Sequence, residues 1–71
     1  MTERQHQLLD LLEVNGSLTI SELASKLYIS MSTVRRDVSE LEALKLVARM
    51  PQGVILLNRE QGGVSLSYSL Q

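Results

Sequence analysis

The order of apolar and polar positions divides the chain into six short elements. Between Thr2 and Asn15, Leu8, Leu9, Leu11 and Leu12 fall on one broad face of a helix, with Gln5 on its edge. Thr2 and Gln5 have the spacing of a capping box at its start, and Gly16 stands where a helix commonly stops. Ser17 to Ile20 is a short β-prone stretch. Thr19 and Glu22 form a second capping-box pair, after which Ile20, Leu23, Ala24 and Leu27 recur at i, i+3, i+4, i+7. That spacing predicts an amphipathic helix of about two turns. Ser30 is placed to cap a third helix running to about Lys45. Its inner stripe is Val34, Val38, Leu41 and the aliphatic stem of Lys45.

After Lys45 the period changes. Leu46 to Met50 and Val54 to Leu57 are β-prone runs separated by Pro51-Gln52-Gly53, a composition suited to a tight hairpin turn. Only a tight turn fits between Leu27 and Met31, so the second and third helices meet at a steep angle. The order helix, short strand, helix, helix, strand, strand predicts a mainly α fold with a small β-sheet: a winged helix-turn-helix over residues 1–57. Residues 58–71 read as a C-terminal extension or linker. Within them Val64, Leu66, Tyr68 and Leu70 alternate with serines, the period of a further strand.

Composition narrows the function. With 71 residues and no cysteine, the chain holds one small core without a disulfide. Two tyrosines are the only aromatic residues, too few for a base-stacking surface that grips single strands. No run approaches the roughly 18 apolar residues of a membrane helix, and the polar N-terminus lacks a signal-peptide pattern; a cytoplasmic protein is expected. The formal net charge is -1, which counts against nucleic acid if taken as a total. The distribution is more informative, because Arg35, Arg36, Lys45 and Arg49 gather in the middle of the chain.

Those cations coincide with the third helix, residues 31–45, whose outer side carries Ser32, Arg36, Ser39 and Ala43. A helix fits the major groove of B-DNA, and its first turns bring side chains to base edges. Arg36, on the outer face, is the candidate for base contact, and Arg35, on the flank, for phosphate. Ser32 and Thr33 can bond either. Ser30, as cap, leaves backbone amides facing an approaching phosphate. Ser39 lies one turn further along within reach, and Arg49 or Gln52 of the wing is placed for the backbone or minor groove. The bland alternative is a solvated Arg36–Glu40 pair at i, i+4, worth a few tenths of a kcal/mol.

Asp37 lies beside the inner stripe, so it reads either as structural, paired with a basic side chain such as Arg49 or Lys26, or as a plain exposed acid. His6 is the only histidine and has no cysteine to share a metal with, so a surface role is expected. No nucleophile–base pairing and no phosphate-cradling glycine loop is present, so neither an enzyme nor a cofactor is expected. A winged-helix protein-interaction module without DNA binding is the second functional class; its support is the acidic balance and the apolar alternation after Gly63.

These residues also carry a family resemblance. "ERQHQLLDLLEVNG" resembles the opening helix of DeoR-family bacterial transcriptional regulators, and "TISELASKLYISMSTVRRDVSELEALKLVAR" resembles the segment that follows. The core S-x-x-T-[IV]-R-R-D-[LV]-x-x-L-E is far more specific than a generic helix-turn-helix pattern. The resemblance spans about Glu3 to Leu57. It implies a repressor that binds operator DNA through the third helix and the wing, with recognition residues at Ser30, Ser32, Thr33, Arg35 and Arg36. In the family the wing turn is usually H-G-G-A, where this chain has Met50-Pro51-Gln52-Gly53-Val54 and retains Gly53. Family members also carry a C-terminal domain that senses a sugar phosphate and assembles oligomers. A sugar-phosphate effector is therefore expected only if such a domain lies outside these residues, and a homodimer on two half-sites is the assembly the resemblance suggests.

Overall fold

The computed structural model describes residues 1–58. Its elements are α1 (Glu3–Asn15), β1 (Ser17–Leu18), α2 (Ile20–Leu27), α3 (Met31–Ala43), β2 (Val47–Met50) and β3 (Gly53–Leu56). The three strands form one antiparallel sheet in the order β1-β3-β2. This is the winged helix-turn-helix expected from the sequence, and the β-prone stretch after Gly16 supplies the third strand. The expected strand at Val64 to Leu70 lies outside the described residues. Among the described residues no helix is long and apolar enough to cross a membrane.

Both capping boxes form. Thr2 Oγ1 accepts from the Gln5 N–H at 3.1 Å, and Gln5 Oε1 accepts from the Thr2 N–H at 3.1 Å. At α2, Thr19 Oγ1 accepts from the Glu22 N–H at 3.0 Å, and Glu22 Oε1 from the Thr19 N–H at 2.8 Å. Each box satisfies two backbone donors that a helix start would otherwise leave open.

The core is aliphatic. Leu8, Leu9 and Leu12 of α1, Leu23 of α2, and Val34, Val38 and Leu41 of α3 converge on one cluster with Val47 and Val54 of the sheet. Burying each such side chain contributes roughly 2 kcal/mol. Without aromatic residues in the core, the whole domain rests on these branched side chains.

One helix end differs from expectation. The third helix does not continue to Lys45: α3 ends at Ala43, and Lys45 is exposed with φ of 64°. The Leu46 N–H donates to Leu41 O at 3.0 Å and the Lys45 N–H to Glu42 O at 2.9 Å, the paired bonds of a Schellman cap. The terminal position of the apolar stripe is taken instead by Leu46, which is buried behind Leu41. Tyr28 closes α2 in the same way, with φ of 59°, while the Ile29 N–H donates to Ala24 O at 3.1 Å. That left-handed residue makes the sharp turn into α3.

The wing is the β2–β3 hairpin, in which Met50 pairs with Gly53 across the turn Pro51-Gln52. Gly53 has φ of 139°, and a Cβ there would lie 2.7 Å from the carbonyl oxygen of Leu18 in β1. It is therefore the contact at which the wing meets the third strand. Asn58, after the hairpin, is tied back by its N–H to Leu46 O at 3.2 Å.

Candidate nucleic-acid interface

The first turn of α3 is organised by hydroxyls. Ser30 Oγ accepts from the Thr33 N–H at 3.2 Å, and lies 3.1 Å from Ser32 Oγ and 2.9 Å from Thr33 Oγ1. Ser30 and Ser32 are exposed and Thr33 is half-buried. The cap thus gathers the three hydroxyl residues expected from the sequence at the helix end whose partial positive charge favours an anion.

One helical turn on, Arg35 and Arg36 are both exposed, while Val34 and Val38 are fully buried. The solvated Arg36–Glu40 pair does not form; Glu40 Oε1 instead accepts from Gln5 Nε2 at 2.6 Å. Asp37 is buried at 2 % exposure, as its position beside the stripe suggested, but its partner is neither Arg49 nor Lys26. Arg4 of α1 grips it with both arms of the guanidinium: Nε donates to Oδ2 and Nη2 to Oδ1, the latter at 3.0 Å. Gln5 Nε2 adds a bond to Oδ1 at 3.3 Å. The hydrogen bond to Asp37, and then its charge, raise the Arg4 pKa; desolvation opposes this, and Glu40 adds to the rise. The role of Arg4 and Gln5 toward α3 has no local signal in the sequence, since the contacts join residues more than thirty positions apart.

The wing arginine is also engaged. Arg49 donates through Nη1 to Glu42 Oε1 at 2.9 Å, and through Nη2 to Ser39 Oγ at 3.1 Å and Arg35 O at 3.2 Å. Arg49 and Ser39, both read from the sequence as groups near DNA, are therefore bonded to one another across the gap between β2 and α3. Gln52 is exposed in the wing turn.

These contacts sort the charges of α3. Its three carboxylates are each held by the protein: Asp37 by Arg4, Glu40 by Gln5, Glu42 by Arg49. Arg35 and Arg36 have no side-chain partner among the described residues. Asp37 and Glu42 are thus neutralised by arginines while Glu40 keeps its charge in a bond to the Gln5 amide, and among the described residues Arg35 and Arg36 remain as unpaired positive charge beside a hydroxyl-rich, amide-presenting N-terminus.

The family model of the DeoR-like helix-turn-helix domain matches residues 4–66. The chain belongs to this family. A DeoR-like chain is similar to the HTH-type transcriptional regulator GolR of Listeria innocua, at 37% identity over 59 residues, which is 83% of this chain and 23% of that protein. It is similar to the lactose phosphotransferase system repressor of Lactococcus lactis at 40% over 58 residues, 82% of this chain and 23% of the repressor. The corresponding repressor of Streptococcus mutans is 35% identical over 51 residues, 72% of this chain and 20% of its own. The chain thus spans about a quarter of the length of the curated relatives it matches. No solved structure matches it significantly.

Proposed function

We propose that this DeoR-like domain binds duplex DNA sequence-specifically in transcription regulation, as part of a repressor, with α3 in the major groove. The observation that carries the reading is the charge sorting on α3, where every carboxylate is engaged and both arginines are left exposed. Arg36 reads a base edge, for which guanine offers two acceptors in the fork geometry of a guanidinium. Arg35, Ser30, Ser32 and Thr33 hold phosphates, and Gln52 follows the groove from the wing. Arg49 and Ser39 serve the same interface by holding the wing against α3.

The similarity to transcriptional regulators and repressors supports repression in a bacterial cytoplasm. A homodimer placing two copies of α3 one helical turn apart would give the affinity one domain lacks. A sugar-phosphate effector belongs to a further domain of the kind the family carries.

Fluorescence-anisotropy titration of duplex DNA at about 50 and 200 mM salt tests the reading. Binding should weaken steeply with salt, and Arg36→Ala should weaken it at both concentrations. No binding at the lower salt by a dimerised form would overturn it.

A further inference from the structure

The apolar stripe that seats α3 is aliphatic, and hydrophobic contact is non-directional. It holds the helix against the core without setting its rotation finely. Rotation matters at the DNA face: a turn of about 20° moves a side-chain tip ~6 Å from the axis by about 2 Å, enough to lose a hydrogen bond. Directional contacts reach α3 from two sides: Arg49 of β2 bonds Ser39, Glu42 and the Arg35 carbonyl on its exposed flank, and the first turn of α1 bonds the buried Asp37 next to Arg36. Arg4 meets Asp37 at two points, and a two-point guanidinium–carboxylate contact fixes an angle as well as a distance. Gln5 is aimed by its own capping bond. Because Oε1 accepts from the Thr2 N–H, Nε2 must face α3, where it reaches Asp37 and, one turn on, Glu40. The α1 and α3 backbones have little direct contact, so these side chains span the gap. Asp37 follows Arg36 in the chain, so the direction of one dictates the direction of the other, about 100° apart.

We propose that Arg4 and Asp37 are a positioning pair that sets the rotation of α3 and thereby aims Arg36 and Ser32 at base edges. With Arg4 39% exposed the ion pair is half-buried, and such a pair adds little stability beside apolar packing; alignment is the use we assign it here. The proposal rests on the DNA-binding reading above and adds specificity determinants that never touch DNA.

The test compares two affinities of the same protein: for a duplex selected by the wild-type chain from a random pool, and for a scrambled duplex of equal length. Partial unfolding lowers both affinities alike and leaves their ratio unchanged, so the ratio reports aiming alone. Asp37→Asn keeps the side-chain size and removes the charge. Arg4→Lys, at a side chain 39% exposed, keeps the charge and the fold and loses the fork. In both variants the ratio should fall, about tenfold in Asp37→Asn, the size of one lost base contact. The scrambled-duplex affinity of the folded protein should stay within about twofold. If the wild type selects a duplex and both variants keep its ratio, the pair is structural and the inference is overturned alone. If the wild type binds no duplex, the DNA-binding reading falls, and this inference with it.

Discussion

Arg49 Nη2 donates to Ser39 Oγ at 3.1 Å, joining the first wing strand to the middle of α3. With its bonds to Glu42 and to the carbonyl of Arg35, this guanidinium is spent on the protein. Arg49→Lys and Arg49→Ala should therefore weaken DNA binding by similar factors, since lysine cannot reproduce the fork. A direct phosphate contact would instead be largely preserved by lysine. Salt-dependent anisotropy on the three proteins decides between them.

Arg35 and Arg36 should separate by the kind of loss they cause. Arg35→Ala should weaken binding to all duplexes alike and lower the salt slope by about 1. Arg36→Ala should cost about 1–3 kcal/mol on the selected duplex and relax the choice at one base pair. Titration against a panel of single-base variants of that duplex measures both.

Gln5→Glu preserves the capping-box acceptor and brings a third carboxylate against Asp37 and Glu40. The domain should lose about 1–2 kcal/mol at neutral pH. Like charges raise the folded-state pKa of the new carboxyl above its unfolded value, so the folded state binds the extra proton more readily. The loss should accordingly shrink as pH falls through the carboxylate range. Urea unfolding at neutral and acidic pH is the measurement.

Lys45→Gly should stabilise the domain by about 0.5–1 kcal/mol, because glycine adopts the left-handed C-terminal position of α3 without the steric cost of a Cβ. Lys45→Val should destabilise it by at least as much. Equilibrium urea unfolding ranks the three proteins, and a wild type more stable than Lys45→Gly would contradict the account.

Gly53→Ala should cost about 2 kcal/mol or more, because the added Cβ meets a backbone carbonyl as well as an unfavourable φ. The same urea assay reads it, and an unchanged midpoint would show that β1 and the wing move apart freely.

The parts legible in the sequence were those written within one turn or one hairpin. Thr2 with Gln5 and Thr19 with Glu22 announce helix starts because both partners lie three residues apart. The placement of Val34, Val38 and Leu41 assigned Asp37 to the protein side correctly, since helical angle is a local property. The identity of its partner is not local. Nothing in the sequence around Asp37 distinguishes Arg4 from Lys26 or Arg49, and only the packing of α1 against the core brings Arg4 within reach. The end of α3 was hidden by the opposite problem. Lys45 continues the helical period as an amphipathic residue, and no glycine marks the left-handed turn that stops the helix.

The close approach of Gly53 to Leu18 pins the wing at the residue directly after its turn, so only Pro51 and Gln52 extend beyond the anchor. The hairpin is anchored through β3, which pairs with β1 on its other edge, whereas Pro51 and Gln52 project into solvent. Tip sequences of different reach or charge can therefore be exchanged on one unaltered base.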